Sequence, residues 1–473
     1  MKSFIFAGIF AIMILFLYSN PSSVIGSSDP SETNDGHEAE PTVEVDDLKL
    51  HKVFGRFNFP TGMAFLGPDD ILVLEKNNGT VQRLLHGKIV EEPVLDVSVA
   101  NYVERGMLGI AIDNKNTSSK YDDRYGRTPY VFLYYTESSD ENNTLDENGD
   151  GKDCELCNPI GHRLYRYELH DDKLVNPQLL LDIPSNPGLS GSSHIGGALV
   201  IGPDNNIYLT TGDGQSCYNN SCKDGIQNKT TNAQTANVLE GRPPEGRGGI
   251  LRIDQDGGKI NNKSIFSDQY PLNLYYAYGI RNSFGIDFDP VTGNLWDTEN
   301  GPGFGDEINL VKPGFNSGWI RIQGIWPINN YELLDDTPKE KGYFGNAEIG
   351  NSDNLIKFDQ VGKYSSPELT WNQTEGLTAI KFLDSDRLGK QYENDLFVGD
   401  VNGNLYHFDL NEDRTDLDLK GKLLDKVANS HEELENAIIG KKFHTIVDIE
   451  SSPDGYLYIL SHKGSIYKLS KDS

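Results

Sequence analysis

The chain has 473 residues, and 42 basic against 71 acidic side chains give it a formal net charge of −29. Such a surface repels phosphate groups, so the composition excludes electrostatic binding of nucleic acid and argues against an anionic membrane surface as a partner. The 49 glycines, 23 tyrosines and 20 phenylalanines, beside only 4 methionines, are typical of an all-β protein rich in turns.

The N-terminus carries a lysine followed by an apolar run over 4–18. This run is short for a membrane span and is typical of the core of a signal peptide. We expect residues 1–28 to be a signal peptide or, alternatively, an uncleaved N-terminal anchor that attaches the chain to a membrane. Residues 29–50 are polar and acidic and predict a disordered tether. The domain over 51–473 is then secreted or otherwise extracytoplasmic.

One pattern recurs after residue 50: a short strand, a turn containing Pro-Asp or Gly, and a further strand. Six copies at irregular spacing predict an all-β fold, a six-bladed β-propeller, and a sandwich with long insertions is the rival. A short helical candidate lies near 431–439. The copies span 67–85, 128–169, 202–214, 289–301, 393–410 and 452–470.

Two long polar insertions, 137–160 and 215–246, follow strands of adjacent copies. In a propeller such loops lie on one face and form the wall of a central site. Asp146, Asn148 and Asp150 match the opening of a calcium-binding loop, although Cys157 occupies the position of the usual bidentate glutamate. The first insertion therefore predicts either a calcium site or an acidic solvated loop.

The insertions also contain the four cysteines, as the close pairs Cys154/Cys157 and Cys217/Cys222. In an oxidising compartment they predict disulfides, within each pair or across the two, with a four-thiolate zinc site as the alternative. Export would also permit glycosylation at the sequon asparagines, which are Asn78, Asn116, Asn142, Asn219, Asn228, Asn262 and Asn372.

The segment 192–214 places His194 before one strand and Asp213 after the next, with a Pro-Asp-Asn-Asn turn between the strands. A hairpin brings the two ends together. The Asp213 carboxylate can then accept one ring N–H of His194 and leave the other ring nitrogen free as a base. A structural histidine in a glycine-rich turn is the alternative.

Three motifs, in order along the chain, carry a resemblance to a known family. They are ERGMLGIAID (104–113), the His194 segment and YAYGIRNSFGIDFDPVTGNLWDTENGPGFGDEINLV (276–311). Over about 52–470 the chain resembles the glucose/sorbosone dehydrogenase family, exported six-bladed propellers that oxidise sugars with pyrroloquinoline quinone (PQQ) and calcium. The resemblance implies an oxidoreductase that converts an aldose at C1 to a lactone by hydride transfer to PQQ.

The resemblance also implies a catalytic or cofactor-binding role for several residues. His194 is the catalytic base, Asp213 orients it, and Arg281 contacts the quinone oxygens. Asn282 lies at the edge of the cofactor, and Lys381 falls where the family often has a basic or aromatic residue that contacts it.

Calcium and substrate contacts are implied in the same way. The backbone carbonyl groups of Gly301 and Pro302 hold the calcium ion, while Glu104 and Asp306 line the cavity that receives the sugar. Carbonyl oxygens are suitable calcium ligands. The physical requirement for a cofactor is independent of the family, because no side chain accepts hydride.

The chain departs from the family pattern between the strands LFVGD and LYHFDL. The family usually has basic side chains there that pair with the PQQ carboxylates, whereas 400–404 reads Asp-Val-Asn-Gly-Asn. Loss of cationic partners weakens binding of a tricarboxylate. Two other functions therefore stay open: a non-catalytic cell-surface binding propeller, and a calcium-dependent hydrolase of the lactonase kind, which would hold calcium with Asp, Asn and Glu side chains at the propeller centre. Since Asn158 follows Cys157, the CxxCH haem motif is absent, and a dehydrogenase would need a separate electron acceptor.

Overall fold

Strands account for nearly all regular structure in the part of the chain that the structure describes. The computed structural model describes residues 40–113, 129–139, 158–185, 191–214, 233–257, 264–328 and 355–472. Within these ranges the chain forms 31 strands, short 3-10 turns and no α-helix. No helix in the same ranges has the length and apolar character that crossing a membrane requires.

The first three blades are sheets of four or more strands, ordered from the innermost strand outward. Blade 1 contains β3 (Pro60–Gly67), β4 (Asp70–Glu75), β5 (Thr80–Leu85), β6 (Lys88–Ile89) and β7 (Leu95–Asp96). Blade 2 contains β8 (Met107–Asp113), β9 (Tyr130–Ser138), β10 (Pro159–His170) and β11 (Lys173–Pro184). Blade 3 contains β12 (Leu199–Ile201), β13 (Ile207–Thr211), β14 (Gly249–Ile253), β15 (Tyr275–Tyr278), β19 (Phe315–Asn316) and β22 (Lys363–Tyr364).

The remaining three blades follow the same plan. Blade 4 contains β16 (Ser283–Phe288), β17 (Leu295–Glu299), β18 (Glu307–Val311), β23 (Leu369–Trp371) and β27 (Val427–Ala428). Blade 5 contains β24 (Leu377–Phe382), β25 (Leu396–Asp400), β26 (Leu405–Phe408), β28 (Ile438–Lys441) and β1 (Thr42–Val43). Blade 6 contains β29 (Ile446–Ser451), β30 (Leu457–Ser461), β31 (Ser465–Lys471) and β2 (Leu48–Gly55). A separate hairpin is formed by β20 (Ile322–Gln323) and β21 (Trp326–Pro327), and the 3-10 turns are Gln234–Ala236, Leu272–Leu274, Phe358–Gln360, Lys390–Tyr392, Gly421–Asp425 and His431–Leu434.

The six innermost strands contact one another in a closed ring, in the order β3, β8, β12, β16, β24 and β29. The ring is closed by the chain ends, because β2 pairs antiparallel with β31 from Leu48 opposite Lys471 to Gly55 opposite Ser465. The predicted six-bladed propeller is confirmed, and the rival sandwich is wrong.

Apolar runs form strands here because both faces of a blade are covered by neighbouring blades. In β4, Ile71 and Val73 pack against Tyr458 and Leu460 of blade 6. The alternate residues Leu72 and Leu74 pack against blade 2. Because successive side chains of a strand point to opposite faces, an uninterrupted apolar run fits this position between two sheets.

Two expectations about secondary structure need correction. The predicted tether over 29–50 is wrong at its C-terminal end, because β1 pairs with β28 and β2 begins at Leu48, which is 5% exposed. The helical candidate near 431–439 is also wrong: the 3-10 turn His431–Leu434 leads directly into β28.

Several predicted features lie outside the described residues. They are the apolar N-terminal segment, the four cysteines, the calcium-loop residues Asp146, Asn148 and Asp150, most of both insertions, and the sequons at Asn116, Asn142, Asn219, Asn228 and Asn262. Of the two sequons that the structure describes, Asn78 donates to Glu75 Oε2 at 3.4 Å.

Candidate active site

The topology brings the predicted site residues to one face of the propeller. Glu104, His194 and Arg281 each lie just before the innermost strand of a blade, namely β8, β12 and β16. Gly301 follows β17, the second strand of blade 4. Because β16 and β17 are antiparallel, with Ser283 opposite Glu299, the end of β17 returns to the edge where β16 begins.

His194 and Asp213 form the predicted pair. His194 Nδ1 lies 2.6 Å from Asp213 Oδ1, and the two residues are 6% and 5% exposed. The other carboxylate oxygen, Oδ2, accepts the indole N–H of Trp319 at 2.8 Å. Burial opposes ionisation of Asp213, but His194, Arg281 and the Trp319 N–H together lower its pKa below the ordinary value. Asp213 is therefore an ionised carboxylate with a hydrogen bond on each oxygen.

The hairpin of β12 and β13 explains why the pair forms. Leu199 lies opposite Leu209, so the segments before β12 and after β13 run side by side. Gly214 N–H donates to the His194 carbonyl at 3.1 Å. A Cβ on Gly212 would lie 2.2 Å from that carbonyl oxygen, so only glycine permits this approach.

Glu104 and Asn282 hold the histidine loop. Glu104 Oε2 accepts the backbone N–H of His194 at 2.7 Å and the amide N–H of Asn282 at 3.2 Å. Asn282 Oδ1 in turn accepts Gly196 N–H at 3.1 Å. Both groups fix the backbone around His194, and the expected substrate contact of Glu104 and cofactor contact of Asn282 stay predictions.

Arg281 lies beside this pair. Its backbone carbonyl accepts Asp213 N–H at 2.9 Å, and its guanidinium donates to the Asn300 carbonyl at 2.9 Å. The guanidinium carbon lies 5.5 Å from the centre of the Trp319 ring. Arg281 thus joins the His194 hairpin to the loop after β17.

Gly301 and Pro302 form a tight loop organised by Asp306. Asp306 Oδ1 accepts Gly301 N–H at 2.9 Å, and Oδ2 accepts Glu375 N–H at 3.0 Å and Gly376 N–H at 2.7 Å. Burial raises the pKa of Asp306 to about 6 against these hydrogen bonds. Because Asp306 is 0% exposed and both oxygens are engaged, its expected role in lining the sugar cavity is wrong.

Lys381 does not join the other site residues. Leu377, at the start of β24, contacts Asn300 of the site. Lys381 lies four residues further along the same strand, about 13 Å away at the usual rise per strand residue. Lys381 Nζ contacts Glu450 at 3.0 Å and Asp287 at 3.4 Å. The ammonium group forms ion pairs between inner strands of blades 4, 5 and 6, and the expected cofactor contact of Lys381 stays a prediction.

The loop 400–404 contains no basic side chain. Asp400 closes it by accepting Asn404 N–H at 2.8 Å, the Asn404 amide at 2.7 Å and the Tyr406 hydroxyl at 2.9 Å. Burial raises the pKa of Asp400 to about 7. This carboxyl group supports the turn and supplies no positive charge.

Trp319 is a central site residue that sequence reasoning missed. It lies in the loop after β19, and its backbone N–H donates to the Gly279 carbonyl at 2.9 Å. It is 3% exposed and touches both Asp213 and Arg281. The only available signal was a large aromatic residue in the Asn-Ser-Gly-Trp turn after a glycine-rich loop, which does not specify a partner.

Comparison with known proteins places the chain among sugar dehydrogenases. The family model described as Glucose / Sorbosone dehydrogenase matches residues 57–468. Aldose sugar dehydrogenase YliI of Escherichia coli is 23% identical over 428 residues, which cover 90% of this chain and 92% of that protein. Quinoprotein glucose dehydrogenase B of Acinetobacter calcoaceticus is 29% identical over 287 residues, 59% of this chain and 54% of that protein.

Solved structures agree on the fold. The apo form of the soluble aldose sugar dehydrogenase from Escherichia coli has a TM-score of 0.60 at 21% identity and covers 90% of this chain and 99% of its own. The PQQ-bound aldose sugar dehydrogenase from Streptomyces coelicolor has a TM-score of 0.55 at 19% identity, covering 92% and 99%. The chain therefore belongs to the glucose/sorbosone dehydrogenase family of sugar oxidoreductases.

Proposed function

We propose that the protein oxidises aldose sugars at C1 to lactones, with PQQ as hydride acceptor, calcium as the metal and a separate electron acceptor. We also propose that it acts outside the cytoplasm, on the basis of its N-terminal segment and sequons. The observation that carries the proposal is the buried His194–Asp213 pair, with its 2.6 Å contact, beside Arg281.

His194 is the residue that would take the hydroxyl proton. The Asp213 carboxylate can only accept a hydrogen bond, so it holds the proton on Nδ1 and leaves Nε2 with a free lone pair. When Nε2 gains a proton, the ionised Asp213 stabilises the resulting imidazolium. Arg281 and the Trp319 N–H keep Asp213 ionised in its buried position.

Gly301, Pro302 and Arg281 are the residues that would hold the metal and the cofactor. Within the described residues no hydrogen bond uses the carbonyl oxygen of Gly301 or Pro302, and two free carbonyl oxygens are ligands that calcium accepts. Arg281 would face negative charge on the quinone oxygens. PQQ, when bound, supplies the hydride acceptor that side chains cannot provide.

The two alternative functions are less well supported. A lactonase-like hydrolase would need oxygen side chains free to hold calcium at the centre, whereas Asp287 and Glu450 of the inner strands pair with Lys381. A binding propeller without cofactor has no need of a histidine held by a buried aspartate.

Titration of the purified apoprotein tests the proposal. We expect saturable binding of PQQ in the presence of calcium, and dye reduction with some members of a panel of aldoses. His194→Ala is the matched control, because it should bind PQQ and reduce dye about 10² to 10⁴ times more slowly. If the wild-type protein binds no PQQ at micromolar concentration with calcium present, the dehydrogenase proposal is wrong and the binding propeller becomes the better one.

A further inference from the structure

A group of metal-ligating side chains lies on the face opposite the candidate active site, at the edge of blade 5. Asp395 immediately precedes β25, His407 lies on β26, and Asp409 immediately follows β26. The two strands pair antiparallel, so the beginning of β25 meets the end of β26. The other end of β25 leads into the loop 400–404, beside Gly376 of the site, about 17 Å away along the strand.

The three side chains are close enough to share one ion. His407 Nε2 lies 3.0 Å from Asp395 Oδ2 and 3.9 Å from Asp409 Oδ1. Among the described residues, this is the one group of three or more His, Cys, Asp or Glu side chains whose ligand atoms all lie within 4.8 Å of one another. Since zinc binds nitrogen and oxygen at about 2.0–2.2 Å, two ligands of one ion are at most about 4.4 Å apart. Both distances from His407 meet this limit.

The surrounding structure fixes two of the three ligands. The His407 ring packs against the rings of Tyr392 and Phe397, with centroid distances of 5.0 and 5.1 Å. The side chains of His407 and Asp395 are largely buried, whereas Asp409 is exposed. His407 and Asp395 therefore form a rigid part of the site, and Asp409 can close on an ion from the solvent side.

The group carries more negative than positive charge. With a neutral imidazole, it has two carboxylates and no cation of its own. Lys420 Nζ lies 3.5 Å from Asp409 Oδ2, but this exposed lysine also contacts Asp418 at 3.2 Å. Arg414 lies nearby as well, where it is paired with Asp289 at 2.8 Å. Since partly buried carboxylates are normally paired or coordinate a metal, the charge balance favours a bound cation.

The second carboxylate distinguishes this group from an ordinary histidine–carboxylate pair. His170 lies 3.0 Å from Glu168 in a similar contact, but an amide is the other side-chain partner of that carboxylate oxygen. At His407 the contact with Asp395 already satisfies Nε2. A hydrogen bond to the ring therefore does not account for the approach of Asp409, whereas a shared ion does.

We propose that Asp395, His407 and Asp409 form a metal site that binds a divalent transition-metal ion such as Zn²⁺. One imidazole nitrogen with two carboxylate oxygens is a ligand set that zinc accepts, whereas calcium and magnesium prefer oxygen alone. The bound ion joins the beginning of β25 to the end of β26 and so stabilises blade 5. This site is separate from the calcium proposed at Gly301, and it does not rest on the proposed function.

Calorimetric titration with Zn²⁺ tests this proposal on the full chain, after a chelator has removed bound metals and calcium has been restored. His407→Gln should raise the Kd for Zn²⁺ by at least about 10- to 100-fold, because even the loss of a group that only supports a metal ligand costs that much. Asp409→Asn, at the exposed ligand, should also weaken binding, and it keeps the test decisive should His407→Gln fail to fold. His170→Gln is the matched control and should leave the Kd unchanged. Thermal unfolding without Zn²⁺ checks that each variant is folded.

Thiolates also bind zinc, so the site must be distinguished from the four cysteines. Co²⁺ makes the distinction, since thiolate ligands give it an intense near-ultraviolet absorption that imidazole and carboxylate ligands do not give. We expect no such band, and we expect Zn²⁺ to raise the unfolding midpoint of the wild type and of His170→Gln but not of His407→Gln. If the wild-type protein binds no Zn²⁺ at micromolar concentration, or if the folded variants at His407 and Asp409 bind it as tightly as the wild type, the inference is wrong. A thiolate band would place the ion at the cysteines and would overturn the inference as well.

Discussion

The Asp213→Asn substitution should invert the histidine tautomer, because Trp319 dictates how the new amide is oriented. The indole N–H can only donate, so the amide oxygen must face Trp319 where Oδ2 now accepts at 2.8 Å. The amide N–H₂ then faces His194 Nδ1, which becomes the acceptor and moves the ring proton to Nε2. The base nitrogen is lost, and we expect turnover with dye to fall about 10² to 10⁴-fold.

Trp319→Phe supplies the control for this reasoning. Alone, it removes one hydrogen bond to a buried carboxylate, which should lower the free energy of unfolding by about 1.5–3 kcal/mol while Asp213 still holds His194. Combined with Asp213→Asn, it frees the amide to rotate and present its oxygen to Nδ1. The double variant should therefore recover about tenfold of the activity lost in Asp213→Asn.

The assay is dye reduction at saturating aldose, with PQQ affinity measured separately so that binding and turnover are not confused. PQQ affinity should change little in all three variants, because Asp213 faces His194 and Trp319. A double variant no faster than Asp213→Asn would refute the tautomer argument. An Asp213→Asn protein within threefold of wild type would remove His194 as the base.

Three further expectations concern stability and the metal. The contribution of His462 to the free energy of unfolding should fall by about 3 kcal/mol as the pH falls from 6.5 to about 4, since the lowered pKa of this ring lets the unfolded chain take up the proton first. In urea unfolding, the stability of the wild type relative to His462→Gln should fall by that amount over the interval, and a constant difference would exclude this contribution. Lys381→Met should lower the free energy of unfolding by about 3 kcal/mol, because Asp287 and Glu450 lose their cation. The same variant should leave PQQ affinity unchanged, and a large rise in its Kd for PQQ would show that Lys381 contacts the cofactor. Gly301→Ala places a methyl group 1.8 Å from the Phe304 carbonyl oxygen, so the loop must shift. Titration should then show weaker calcium-dependent binding of PQQ, and unchanged binding would exclude this loop as the metal site.

The fold could be predicted because each blade repeats one local pattern. The run Ile71–Leu74 is apolar at every position and is followed by a polar turn, which suits a strand between two sheets. The beginning of the ordered domain could not be predicted from composition. The strands β1 and β2 lie partly in an acidic segment, and pairing with β28 and β31 across the whole length of the chain fixes them.

The candidate site was predicted best where two residues are close in sequence. His194 and Asp213 flank one hairpin, so local geometry determines their contact. Glu104 and Asp306 were placed near the site, but their partners come from other blades or from a returning loop. A sequence motif states which residue type occurs at a position, and the contacts between blades decide whether its side chain faces a ligand or the backbone.

Lys381 is a second residue whose contacts could not be predicted from its position in the sequence, because they depend on the charges around it. A lysine at a matched position attracts whichever carboxylates surround it, and here the inner strands supply Asp287 and Glu450. Two carboxylates then balance its charge, so the residue type at this position does not by itself decide whether the side chain contacts an anionic cofactor.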